Sequence, residues 1–163
     1  MPRFIIVLFF CICFFPFKAS SENYFTQTLI FPIRYKLNGA IRGISIDSKN
    51  KRIYVGSTDQ HLYCLDGFGN IKWKSHVDSD IHRVIYDPNY RQIYCRYKQC
   101  QHLGCFSDEG LFLWSVLTGN VHGIDIDPYT GNIYCSCNSH LKGSTILCIS
   151  PKGELMWEKR YEY

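Results

Sequence analysis

Three kinds of residue in this 163-residue chain are of types that do chemistry: nine cysteines, six histidines and a set of evenly spaced aspartates. Asp47, Asp87 and Asp127 recur every 40 residues, as do Arg42, His82 and His122. Evenly placed carboxylates suit a calcium site, but each of these opens an Asp-Ser or Asp-Pro stretch. There the side chain accepts bonds from nearby backbone amides, so turn formation is expected. An arginine and two histidines at one repeat position suit an anion or, with an acidic neighbour, a metal. Cys135-x-Cys137 has half of a zinc spacing and lacks a second clustered pair, so no metal is expected. The chain holds no Gly-rich phosphate loop, no His-Glu-x-x-His and no nucleophile elbow, and no catalytic residue is expected.

Residues 4–17, FIIVLFFCICFFPF, form an apolar run behind Arg3 that is short for a membrane helix and right for a secretory signal peptide. Small residues at Ala19-Ser20-Ser21 predict cleavage after Ser21, the alternative being an uncleaved anchor. The expected mature chain, Glu22–Tyr163, loses Cys11 and Cys13 and reaches an oxidising, extracellular compartment. It keeps 16 basic against 14 acidic residues, too balanced and too scattered for nucleic acid. No second long apolar run follows, so no membrane span is expected after cleavage. With 46% hydrophobic and 20% charged residues the composition is globular, and 16% aromatics favours strands.

The elements that must position these residues come from an internal repeat. Gly43, Arg83 and Gly123 open three superposable segments. Ile53-Tyr54, Ile93-Tyr94 and Ile133-Tyr134 align, then Cys64, Cys105 and Cys148, and then Gly69, Gly110 and Gly153. Trp73, Trp114 and Trp157, all the tryptophans of the chain, close the units. Each unit breaks into four short apolar stretches separated by turn residues, the pattern of propeller blades. The expected fold is all-β: three four-stranded blades at about 43–78, 83–118 and 123–160, after a signal peptide at 1–21 and a leading segment and strand at 22–42.

Arg52-Ile53-Tyr54-Val55-Gly56-Ser57-Thr58-Asp59, Leu62-Tyr63-Cys64-Leu65-Asp66 and Trp73 resemble the quinoprotein-type propeller repeat. Gly123–Tyr134 is more similar to the class B repeats of lipoprotein receptors, and Thr28–Leu37 resembles the strand before a first blade in such receptors. No Tyr-Trp-Thr-Asp tetrapeptide is present, and Gln60 stands where the quinoprotein repeat has glycine. A quinone enzyme of that family needs cofactor contacts from many blades and a bridge between adjacent cysteines. Neither is found here, and no cofactor is expected.

In such a fold the innermost strand of each blade lines a central channel. Arg42, His82 and His122 would then ring its mouth as ligand-binding candidates. Cys95 and Cys105 fall on the second and third strands of one unit, and Cys135 and Cys148 do so in the next. Bridges Cys95–Cys105 and Cys135–Cys148 are expected, with Cys100–Cys137 as a link between blades. The other reading is that each is a small buried hydrophobe, since similar repeats carry Val and Ala there. Closed propellers typically have four to eight blades, so three leave blade faces uncovered. Two copies completing a six-bladed ring, a piece of a longer propeller, and an open form held by a partner all remain open. The expected function is that of a secreted binding module for another protein or for its own copy. The alternatives are a lactonase-like or quinoprotein-like enzyme active as an assembled ring, or a non-functional fragment.

Overall fold

The structure, a computed structural model, describes residues 37–162 except 98, 100 and 140–142. The expected signal segment at 1–21, the expected leading segment through residue 36 and Cys100 lie outside the described residues.

Every element among the described residues is a strand, as β-branched and aromatic runs between Gly- and Asp-bearing turns dictate. The first unit folds as β1 (Ile41–Asp47), β2 (Arg52–Ser57), β3 (His61–Asp66) and β4 (Ile71–His76). The second holds β5 (Arg83–Asp87), β6 (Gln92–Tyr97), β7 (His102–Ser107) and β8 (Phe112–Leu117). The third holds β9 (Asn120–Ile126), β10 (Ile133–Ser139), β11 (Gly143–Ile149) and β12 (Leu155–Tyr161). Each unit is one antiparallel four-stranded sheet whose strands pair in chain order. This is three blades of a propeller-type fold.

The repeated aspartates are turn formers. Asp47 Oδ1 accepts the Asn50 N–H at 3.1 Å, Asp87 Oδ1 accepts Asn89 N–H at 2.8 Å, and Asp127 Oδ1 accepts Tyr129 N–H at 2.9 Å. Among the described residues no three His, Cys, Asp or Glu side chains gather as a metal site.

Blades stack face to face, and each sandwich has its own core. Between the first and second lie Tyr54, Leu62 and Cys64 against Val84, Tyr86, Ile93, Cys95 and Phe106. Between the second and third lie Tyr94, Leu103 and Cys105 against Ile124, Ile133, Cys135 and Leu147. A strand's side chains alternate between faces, so a middle blade must be apolar on both, and its sequence is.

The repeated tryptophans dock one blade on the next. Trp73 Nε1 donates to the Asp108 carbonyl at 3.3 Å, and Trp114 Nε1 to the Pro151 carbonyl at 3.1 Å. Each ring rests on a turn glycine with φ of +87°, Gly110 and Gly153 respectively. A Cβ on Gly153 would stand 2.7 Å from the Trp114 ring, so glycine serves both the backbone and the close approach.

The structure corrects the two expected hairpin disulfides. Cys95 lies opposite Gly104 and Cys105 opposite Tyr94; Cys135 lies opposite Leu147 and Cys148 opposite Tyr134. Directly opposed residues share a face, so each supposed pair points to opposite sides of its sheet and its sulfurs cannot meet. Cys95 belongs to the first core and Cys105 to the second. Cys64, Cys95, Cys105, Cys135, Cys137 and Cys148 are all buried free thiols. The expected Cys100–Cys137 link involves a residue outside the described set.

Candidate functional site

The inner strands of the first two blades bring several charged side chains together. Arg42 lies in a bulge of β1, where the register with β2 shifts between Ile41 and Gly43. Such a bulge re-aims the side chain it carries. His82 sits in the link before β5 and donates its backbone N–H to the Arg96 carbonyl at 2.8 Å. Arg83 opens β5 and stands directly opposite Arg96 on β6, both on the face turned toward the third blade. Arg42, His82, Arg83, Arg96 and Asp125 line one open groove of about 520 Å³, with the Gly43–Ser45 and Val84–Ile85 stretches as its floor.

The balance of this groove is cationic: three guanidinium groups and an imidazole against one carboxylate, that of Asp125. Like charges directly opposite on a sheet destabilise the pair, so the Arg83–Arg96 arrangement carries a cost. Arg96 offsets part of it by donating from Nη1 to the Val121 carbonyl at 2.5 Å and the His122 carbonyl at 3.1 Å. Its Nε is buried and meets no hydrogen-bond partner among the described residues. A bidentate anion would neutralise such a cluster in the fork geometry that guanidinium groups offer.

Arg42 and His82 therefore come together as their shared repeat position suggests. His122 does not join them in the groove lining; it contributes its carbonyl to Arg96. Arg83, Arg96 and Asp125 were not singled out by the repeat. Arg83 immediately follows His82, and Arg96 is found only from the register that sets β6 against β5.

No protein-family model and no curated protein sequence matches the chain. Solved structures do. The crystal structure of BamB from Moraxella catarrhalis aligns with a TM-score of 0.60 and 16% identity over 77% of this chain. A eukaryotic initiation factor structure aligns with a TM-score of 0.64 and 16% identity over 80%. Both are β-propellers, and the likeness shows the fold. The chain spans 38% and 35% of those two proteins, little more than a third of their lengths.

Proposed function

We propose that this chain is a secreted binding module of the quinoprotein-like propeller type, which holds an acidic segment of a protein partner in the groove of Arg42, His82, Arg83 and Arg96. It acts by binding, with no reaction of its own. The observation that carries this reading is the directly opposed Arg83–Arg96 pair, with Arg42 and His82 beside it and Asp125 as the carboxylate among the described lining residues. A surface selected for folding alone has no use for cations placed to repel one another. The apolar signal segment and the similarity of Arg52–Trp73 to the quinoprotein repeat support the address and the family.

The test is fluorescence anisotropy of a labelled eight-residue Glu-rich peptide with the full secreted chain, beside its Gln counterpart. The Glu peptide binds and the Gln peptide does not. Arg42→Ala and Arg83→Ala together weaken binding by about tenfold or more, about 1.4 kcal/mol. Added salt weakens it further, as screening of exposed charges requires. Equal binding of the two peptides, or affinity unmoved by the double substitution, would refute the reading.

A further inference from the structure

We propose that the outer strand of the second blade pairs antiparallel with the same strand of a second copy of this chain, about a two-fold axis. This goes beyond the acidic-segment reading and lies at the opposite edge of the blade from that groove.

The second blade is stacked on both faces, against the first and against the third, so the surface it leaves open is its outer edge. That edge is β8, which pairs with β7 alone among the described residues. An edge strand presents a row of unpaired backbone N–H and C=O groups, and another extended strand matches them along their whole length. The six residues of β8 give about 20 Å of such edge.

Natural edges are blunted by charge, lysine above all, and the other two outer strands follow that rule. Counting from the shared tryptophan, β4 has Lys72, Lys74 and His76, and β12 has Met156, Glu158 and Arg160. At those places β8 has Leu113, Ser115 and Leu117, and the strand carries no charge from end to end. Leu111, just before it, stands where the other units have Asn70 and Glu154. Cys105 pairs with Trp114 and Phe106 with Phe112, so Leu113 is the extra residue of a bulge and is turned out of the ladder. Leu111, Leu113 and Leu117 are 68%, 45% and 69% exposed. Strands with lysines along them repel their own copies, whereas a neutral edge is matched in charge by itself.

The shape is self-complementary too. Beside the end of β8 an open groove of about 480 Å³ is lined by Val116, Leu117, Thr118, Cys137, Leu147 and Leu155. Val77 and Tyr97, the counterparts of Thr118 and Cys137, are buried in the first core. Antiparallel pairing sets the start of one strand beside the end of the other. Leu111 and Leu113 of each copy therefore come against the groove of its mate, and the contact is made twice. An isologous contact of this kind closes at two copies. It joins two four-stranded sheets into one of eight and covers leucines that each copy exposes alone.

Sedimentation velocity and light scattering on the full secreted chain, from about 1 to 100 µM, test this. A dimer that dissociates on dilution is expected. Leu113→Lys raises its dissociation constant by about thirtyfold or more, the scale of an interface hot spot. The fold tolerates this change, because β4 carries Lys72 at the same bulge, and far-ultraviolet circular dichroism stays intact. Ser115 lies next to the axis, so Ser115→Lys sets like charges face to face and gives a monomer, as does Ser115→Glu. Mixing these two variants gives a one-to-one pair, because opposite charges then meet across the axis. A wild-type monomer throughout, assemblies that grow beyond two copies, a dimer indifferent to Leu113→Lys and Ser115→Lys, or a mixture that stays monomeric overturns the proposal. Acidic-peptide binding is unchanged in these variants, so the two readings stand or fall separately.

Discussion

The docking of one blade on the next makes a quantitative demand at Trp114 and Gly153. Replacing a buried aromatic ring with alanine costs about 3–5 kcal/mol. Trp114 keeps an edge in solvent, which places it near the low end, and loss of its bond to the Pro151 carbonyl adds about 1 kcal/mol. Trp114→Ala should therefore cost about 3–4 kcal/mol, a large share of a typical 5–15 kcal/mol stability. Gly153→Ala carries two separate penalties. Alanine at φ of +87° costs about 1–2 kcal/mol whatever surrounds it. The new methyl also meets the Trp114 ring at 2.7 Å, which adds overpacking of about 1–2 kcal/mol. With the ring gone only the backbone penalty remains. The double variant should be more stable than the sum of the singles predicts by about 1–2 kcal/mol. Urea titrations of the four proteins, read by far-ultraviolet circular dichroism at one protein concentration, measure that coupling. Additivity within about 0.5 kcal/mol would mean that ring and glycine do not meet, and the docking described above would be wrong.

Two further predictions concern the thiols and the carboxylates. Burial pushes the Cys64 and Cys137 thiols up to about 11 and Cys105 and Cys135 up to about 12, so the native chain at pH 8 should resist N-ethylmaleimide at these positions and react fully in urea; a bridge at Cys95–Cys105 or Cys135–Cys148 in the peptide map would contradict the register. Hydrogen bonds from Asn70 hold Asp66 below the usual carboxylate range, as those from Thr130 and Tyr129 hold Asp127. A carboxylate depressed in the folded state contributes stability above its unfolded value near 4 and loses it as pH falls further. The urea midpoint should therefore be level from about pH 7 to 5 and fall below about pH 4, less steeply in Asp66→Asn; a midpoint that holds at pH 3 would count against these turns.

The three-blade architecture was legible because its signals are periodic. Trp73, Trp114 and Trp157 mark the same place in each sheet, and the Asp47, Asp87 and Asp127 turns separate the first two strands of each. What the spacing could not carry was register. The repeat says that Cys95 and Cys105 lie on neighbouring strands, but their face depends on the hairpin between them, which sets Cys105 against Tyr94. The groove was half legible for the same reason. Arg42 and His82 share a repeat position and meet; Arg83 and Arg96 meet through cross-strand pairing, which composition does not reveal.

Register also explains why cysteine recurs without bridging. Cys64 sits between Tyr54 and Trp73 in one row across its sheet, Cys105 between Tyr94 and Trp114, and Cys148 between Tyr134 and Trp157. The outer two residues of each row are two strands apart, roughly 10 Å. Their rings nevertheless approach to within 5.9–6.1 Å between centroids, so they lean toward each other over the residue in the middle. That residue must be small and must tolerate a dry surrounding, and a thiol does both. The same lean carries the indole N–H of Trp73 and Trp114 out to the next blade's turn, where only glycine leaves room for the ring. Cysteine, tyrosine, tryptophan and the following glycine are thus parts of one device for stacking blades.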